Sequence, residues 1–113
     1  MFSRRKLFSP GMTVGLFGGS FDPPHKGHSL VSAKLQTALG LDMVWWLVAP
    51  QNPLKRASPE AMEKRLKACQ DLVGPSNNRV YISDEETHLG TRNTVDTIRK
   101  LKQLYPQVRF IWL

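Results

Sequence analysis

Two histidines, His25 and His28, stand three residues apart just after a glycine-rich segment near the start of the chain. Residues three apart share one face of a helix, so both imidazole rings would reach the same ligand. Imidazole donates a hydrogen bond to a phosphate oxygen in either protonation state and can carry a positive charge near neutral pH, which suits stabilisation of a pentacoordinate phosphorus. We therefore expect this pair to take part in phosphoryl-type transfer.

The segment before the histidines has the pattern of an element that positions phosphate. An apolar run at residues 13–17 breaks into Gly18 and Gly19, and a helix-like stretch opens at His25. This order predicts a strand, a glycine turn and a helix. Glycine lets backbone N–H groups approach a ligand, and the free N–H groups and positive dipole end of the helix favour phosphate. The segment is therefore predicted to hold a nucleoside triphosphate.

A zinc site is the first alternative for the two histidines. Metal-binding helices more often space histidines four apart, and the only cysteine, Cys69, stands far along the chain. The spacing of Cys69 among apolar helix positions instead predicts a buried, small hydrophobic residue. A second alternative treats both histidines as solvated residues of a helix start, and the glycines and the Pro23-Pro24 pair weigh against it. We predict no metal ligands on the protein.

Residues 18–28 read GGSFDPPHKGH, and this run resembles the signature of the nucleotidyltransferases that carry a His-x-Gly-His element. Within that superfamily the chain resembles the bacterial nicotinate-nucleotide adenylyltransferases, from Gly11 to its last residue. The segments at 48–55, 65–66 and 94–98 also resemble that branch. The resemblance implies transfer of an adenylyl group from ATP to nicotinate mononucleotide, which gives deamido-NAD and pyrophosphate. It also implies Mg²⁺, bound with the ATP and mostly keeping its waters.

The same resemblance implies which residues contact ATP. The two histidines would be catalytic, with His28 the principal donor to the transition state. The residues implied for ATP binding are Gly18, Gly19, Phe21, His25 and His28.

For the acceptor nucleotide, the resemblance implies Asn52 and Lys55 on a proline-bearing loop, together with Thr94 at a helix start. In the family, the threonine at this position helps to hold the nicotinate carboxylate, and the residue before it is often Tyr where this chain has Asn93. Two other functions stay open. One is a sister nucleotidyltransferase with another acceptor, such as phosphopantetheine, and the other is a nucleotide-binding fragment without catalysis.

Strand and helix patterns alternate from Met12 onward and predict an α/β fold, a Rossmann-like doubly wound parallel sheet. We expect residues 1–10 to be a flexible N-terminal extension and residues 11–113 to form the N-terminal portion of one nucleotidyltransferase domain. The last apolar strand ends where a functional loop should begin, which predicts truncation at the C-terminus. The predicted strands are 12–17, 43–48, 79–83 and 108–113, and the predicted helices are 25–39, 58–73 and 91–104.

Several packing expectations accompany this fold. The adjacent Trp45 and Trp46 should face opposite sides of a strand. Arg65 should be structural, through ion pairing or support of a substrate loop. The last strand should be buried, and the acidic segment 84–88 should face water. The positions of the first helix that we expect to pack in the core are Leu30, Ala33, Leu35 and Ala38.

Composition narrows the class of protein further. The chain has 113 residues and carries 16 Lys and Arg against 9 Asp and Glu, a formal charge of +7 that favours polyanionic partners. ATP satisfies this preference. The basic residues are scattered and form no nucleic-acid-binding module, so nucleic acid is not expected as a partner. One cysteine excludes an internal disulfide, and no apolar run is long enough for a membrane span. These features predict a cytoplasmic enzyme.

Overall fold

The computed structural model describes residues 8–21, 23–49, 59–74, 79–85 and 94–113. Across these residues four strands alternate with three helices, which confirms the predicted α/β class. In chain order the elements are β1 (Thr13–Gly19), α1 (Lys26–Leu39), β2 (Met43–Val48), α2 (Pro59–Val73), β3 (Val80–Ser83), α3 (Thr94–Leu104) and β4 (Arg109–Trp112).

The four described strands form one parallel sheet in the order β3-β2-β1-β4. The chain therefore builds outward from β1 through β2 to β3, and then returns to the other side of β1 to add β4. The strand order reverses between β1 and β4, and such a reversal opens a crevice at the carboxyl ends of the strands where ligands bind. The predicted doubly wound sheet is confirmed, and β1 lies at its switch point.

Two hydrophobic clusters cover the two faces of the sheet. Trp45 packs on one face with Phe8 and with Leu101 of α3, whereas Trp46 packs on the other face with Cys69 of α2. The alternation of a strand explains this division, and it confirms that the two tryptophans face opposite ways. Phe8 is buried although it belongs to the segment 1–10; residues 1–7 lie outside the described residues, and the domain boundary stays a prediction.

Helix α1 ends where the sequence places its end. Gly40 adopts a left-handed conformation with φ of 63°, and its N–H donates to the carbonyl of Gln36. Glycine reaches this conformation without a Cβ penalty, which is why it commonly follows the last turn of a helix.

The predicted inward face of α1 is wrong. Leu30 is 62% exposed, and Ala33 and Ala38 are exposed too, whereas Leu35 is half-buried. The helix instead turns Ser32 toward the sheet, where the Ser32 hydroxyl accepts a hydrogen bond of 2.8 Å from the indole N–H of Trp46. A helix turns about 100° per residue, so Leu30 points away from the side that presents Ser32. A polar contact therefore sets the rotation of α1.

The prediction of a buried last strand is also wrong. β4 lies at one edge of the described sheet, and its exposed ends are Arg109 and Trp112, the latter 36% exposed. Only its two middle residues, Phe110 and Ile111, pack against the two clusters. An edge strand has a neighbour on one side alone, which leaves part of it open to solvent.

Two alanine substitutions should distinguish the observed core, which contains Leu101, from the predicted core, which contained Leu30. Leu101→Ala removes a fully buried side chain and should lower the free energy of unfolding by about 2–5 kcal/mol. Leu30→Ala changes an exposed side chain on a helix and should stay within about 0.5 kcal/mol of the parent protein. Urea unfolding of the three proteins measures both values. Equal losses for the two variants would contradict the observed rotation of α1.

Candidate functional site

The end of β1 forms the floor of the candidate site. The strand continues through Gly18 and Gly19, two residues beyond its predicted end, so both glycines are extended strand residues rather than turn residues. A Cβ on Gly18 would come within 3.0 Å of the Trp112 indole, and one on Gly19 would lie at 3.4 Å from the ring of Phe21. Gly18 is therefore needed for close packing with β4.

The start of α1 brings His25 and His28 together. His25 is the N-cap residue, and its Nδ1 accepts a hydrogen bond of 3.1 Å from the N–H of Gly27. In return, Nδ1 of His28 accepts a hydrogen bond of 2.9 Å from the N–H of His25. This reciprocal pattern is a capping box built from imidazoles. It places the two ring centroids 4.1 Å apart at the carboxyl end of the sheet.

These hydrogen bonds fix the tautomer of each ring. A nitrogen that accepts a backbone hydrogen bond carries no proton, so a neutral ring must carry its proton on Nε2. Both histidines therefore offer an Nε2–H donor on the side away from the helix backbone.

Gly27 makes room for the His25 ring. A Cβ on Gly27 would lie 2.8 Å from Cε1 and 2.9 Å from Nδ1 of His25, which no side chain tolerates without displacing the imidazole. The sequence alone assigns no role to Gly27, because glycine has no chemically active side chain. Its position inside a helix could have indicated a role, since alanine there would stabilise the helix by about 1 kcal/mol.

An aromatic cluster supports His28 from below. Its ring lies 4.8 Å from that of Phe21, 5.9 Å from that of Phe17 and 6.1 Å from that of Trp46. Phe21 in turn stacks on Trp46 at 5.0 Å with an interplanar angle of 11°. Burial against these rings lowers the pKa of His28, and the neighbouring His25 lowers it further. The neutral donor form of His28 is favoured as a result.

Phe21 has an unusual backbone. It is the only non-glycine residue with a positive φ in the described part of the chain, at 49°, and it is 2% exposed. The left-handed region costs a residue with a Cβ about 1 kcal/mol, so surrounding contacts must hold it there. Because its ring is buried under His28, Phe21 can offer a ligand only its main chain.

Arg65 of α2 connects the ends of two strands. Its side chain is 5% exposed, and one terminal nitrogen, Nη1, donates to the carbonyl of Ser20 at 2.8 Å and to that of Ala49 at 2.7 Å. Ser20 directly follows β1, and Ala49 directly follows β2. This pattern is loop support rather than an ion pair, which is one of the two structural roles that the sequence predicts.

The residues expected to contact the acceptor are mostly outside the described part of the chain. Asn52 and Lys55 lie outside the described residues, and Thr94 is the first residue of α3. In a parallel sheet the crossover helix begins on the side of the carboxyl ends, so α3 starts at the same edge as the histidine pair. Of the residues expected to bind ATP, His25, His28 and Phe21 are in ring contact and Gly19 lies against the ring of Phe21. Gly18 instead lies against Trp112.

Two further predictions can be compared with the structure. Cys69 is fully buried in the cluster with Trp46, and burial raises the pKa of its thiol to about 11, so the prediction of a buried hydrophobic residue is confirmed.

The acidic segment 84–88 is described only at its first two residues. There Glu85 is buried, and its N–H donates to the Ser83 hydroxyl at 3.3 Å, so the expectation of a solvated segment is wrong for Glu85.

The described residues contain neither a cluster of metal ligands nor a membrane-spanning helix. Within these ranges no three His, Cys, Asp or Glu side chains come together as metal ligands. None of the helices in the same ranges has the length and apolar character needed to cross a membrane.

A doubly wound parallel sheet, with hydrogen-bond donors gathered at the first helix start beside its switch point, defines an α/β protein of the nucleotide-binding type. The family described as cytidylyltransferase-like matches residues 16–112. The chain belongs to that family.

Within this family, two curated relatives of this chain share one description. The chain is 51% identical over 104 residues to a probable nicotinate-nucleotide adenylyltransferase of Ruegeria pomeroyi, covering 92% of this chain and 48% of the relative. It is 49% identical over 112 residues to the protein of the same description from Parvibaculum lavamentivorans, covering 98% and 55%. The chain thus spans about half the length of the curated relatives it matches.

The solved structures agree on the fold. The nicotinic acid mononucleotide adenylyltransferase of Plasmodium falciparum, complexed with NaAD, superposes with a TM-score of 0.73 at 21% identity, over 89% of this chain and 50% of that one. A putative nicotinate-nucleotide adenylyltransferase from Vibrio parahaemolyticus gives 0.65 at 25% identity, over 89% and 59%.

The lowered pKa of His28 predicts a pH-dependent stability. In the unfolded chain His28 takes up a proton near its usual value of 6.5, whereas in the folded chain it does so only at lower pH. Between these values the unfolded state binds more protons, so the free energy of unfolding falls as the pH falls from the unfolded pKa toward the folded one. Urea unfolding should show a smaller fall between about pH 7 and pH 5 for His28→Gln than for the parent.

A proton NMR titration of the ring provides the direct measurement. The His28 resonance, assigned by its absence in His28→Gln, should have a midpoint below 6.5. A midpoint at or above that value would contradict the burial of the ring against Phe21.

Proposed function

We propose that the protein is an adenylyltransferase that joins ATP to nicotinate mononucleotide and releases deamido-NAD and pyrophosphate, a step of NAD biosynthesis. The observation that carries the proposal is the pair of Nε2–H donors on His25 and His28 at the switch point of the sheet. The names of the relatives and the NaAD complex of the Plasmodium falciparum protein support the choice of substrates.

The chemistry requires no general base. A phosphate monoester has a second pKa of roughly 6, so the 5′-phosphate of the acceptor is already a dianion at neutral pH. One of its oxygens attacks the α-phosphorus of ATP in line, and the bond from that phosphorus to the bridging oxygen of pyrophosphate breaks. The protein then contributes placement of the two anions and stabilisation of the charge that develops on phosphorus oxygens.

The histidine pair supplies that stabilisation. Both rings donate through Nε2–H to the phosphates of ATP, and His28 donates to the oxygens of the transferred phosphorus in the transition state. A neutral imidazole with a lowered pKa keeps its donor and needs no proton from solvent. Gly18, Gly19 and the main chain of Phe21 line the ATP site beside them. The free N–H groups of the α1 start add to this anion-binding surface.

The acceptor approaches from the other side of the switch point. The family resemblance of the segment that follows β2 in the sequence assigns Asn52 and Lys55 to its phosphate. Thr94 and the first turn of α3 hold the carboxylate of the nicotinate ring, because a helix start offers free N–H groups and the positive end of a dipole.

Mg²⁺ accompanies the ATP. Mg²⁺ prefers oxygen ligands, whereas the described site offers imidazole and backbone N–H donors and holds no carboxylate cluster. The donor set therefore fits a metal ion carried by phosphate oxygens and water, and we assign no residue to it. When bound, Mg²⁺ neutralises part of the charge on the phosphates.

This function places the protein in the cytoplasm, with ATP and nicotinate mononucleotide as its partners and with no role for nucleic acid or membrane. Residues 1–10 would then be an N-terminal extension of the catalytic domain.

A panel of acceptors tests the substrate assignment. The full protein with ATP and Mg²⁺ should release pyrophosphate with nicotinate mononucleotide, and chromatography should detect deamido-NAD. The control reactions contain nicotinamide mononucleotide, phosphopantetheine or no acceptor. A preference for phosphopantetheine would replace the proposal with a sister transferase.

His28→Ala tests whether the site catalyses or only binds. Loss of a donor to the transition state should lower kcat by about 10²-fold or more. Lys34→Ala, an exposed position on the same helix, is the matched control and should retain full turnover. Unchanged turnover in His28→Ala would favour a nucleotide-binding protein without this catalysis.

A further inference from the structure

We propose that Arg65 is a positioning residue of the triphosphate site: it turns the peptide between Ser20 and Phe21 so that the N–H of Phe21 is presented to a phosphate oxygen. The proposal rests on the proposed function for the identity of the ligand, a nucleoside triphosphate. Its starting point is the hydrogen bond of 2.8 Å from Arg65 Nη1 to the carbonyl of Ser20.

Peptide geometry connects the arginine to the next residue. In a trans peptide the carbonyl oxygen and the following N–H point in opposite directions within one plane. Because the Ser20 carbonyl points at Arg65, the N–H of Phe21 must point away from α2, two residues after the end of β1. Arg65 thus fixes the direction of a donor that it does not touch.

That donor is unsatisfied in the described part of the chain. No hydrogen bond from the Phe21 N–H is found among the described residues, although Phe21 is almost completely buried. Buried backbone N–H groups are nearly always paired, with protein, water or a ligand. A phosphate oxygen at the carboxyl end of β1 would supply the missing partner, and this is the end at which the histidine pair lies.

The backbone of Phe21 is consistent with an imposed peptide orientation. Its φ of 49° is unfavourable for a residue with a Cβ, by about 1 kcal/mol. Rotation of the Ser20-Phe21 peptide would relieve this strain and would turn the N–H away. The hydrogen bond from Arg65 and the stacking of Phe21 on Trp46 oppose that rotation.

The second hydrogen bond of Arg65 makes the support rigid. The same Nη1 donates to the Ala49 carbonyl at 2.7 Å, and the Ala49 N–H donates to the Gly19 carbonyl at 2.8 Å. The ends of β1 and β2 are therefore joined through one buried guanidinium. Its Nε makes no hydrogen bond in the described structure, and no carboxylate of the described residues pairs with it. The retained positive charge behind the peptide also favours an anion in front of it.

Selective labelling provides the direct test. Labelling with ¹⁵N-Phe restricts the amide spectrum of the full protein to its phenylalanines, five of which lie in this sequence, and Phe21→Tyr assigns the resonance of Phe21. Inorganic tripolyphosphate is the probe. We expect the Phe21 amide to shift on titration in the parent protein and in Lys67→Met, an exposed position on the same helix. The shift should be lost in Arg65→Met and partly kept in Arg65→Lys, which retains a donor.

Kinetics separate positioning from a loss of folded protein. Loss of one hydrogen bond to a charged phosphate should raise the KM for ATP about tenfold in Arg65→Met and less in Arg65→Lys, with the KM for the acceptor unchanged in both. Partial unfolding would lower kcat alone. If Arg65→Met does not fold, Arg65→Lys carries the comparison.

Two results would overturn the proposal. One is a Phe21 amide that tripolyphosphate does not shift in the parent protein, and the other is an equal shift in the parent and in the arginine variants. Failure of the proposed function is distinguishable, because a different acceptor would leave the amide response to tripolyphosphate intact.

Discussion

The reciprocal hydrogen bonding between two histidines and the first turn of α1 is the constraint on which the site depends. Serine or aspartate at the cap would satisfy the same backbone N–H groups, but neither would leave an outward N–H donor. With imidazole, one ring nitrogen completes the helix and the other is left for a ligand. Folding of the helix start and formation of the donor pair are therefore one event, and Gly27 is the residue that gives the His25 ring its space.

The aromatic cluster extends this constraint into the core. Trp46 of β2 donates to Ser32 of α1 and stacks with Phe21, and Phe21 in turn lies under His28. One buried strand residue thus fixes the rotation of the helix and the floor of the site. Because burial in the same cluster lowers the pKa of His28, the support that positions the ring also favours its neutral form, which donates through Nε2–H.

Local signals in the sequence predicted most of the elements to within a few residues. The apolar run of β2 and the left-handed Gly40 need only their neighbours in the chain, so the sequence contains the relevant information. The rotation of α1 could not be read in this way, because it depends on Trp46, which is distant in sequence. The choice of Ser32 over Leu30 as the inward residue contradicts hydrophobic patterning, and only a long-range polar contact explains it.

The candidate site was predictable in its residue types and not in its physical arrangement. The histidine pair identifies the place, but neither the tautomers nor the role of the Phe21 main chain follows from spacing.

The net charge of the chain is not the main source of affinity for a triphosphate in this structure. Of the basic side chains in the described residues, all but Arg65 are exposed, and solvent and salt screen their fields within about 8 Å. The Nε2–H groups of the histidine pair, a helix start and a buried guanidinium are fixed in place before a ligand arrives. Recognition of a triphosphate by this site would therefore rest on preorganised donors, which need little reorganisation on binding.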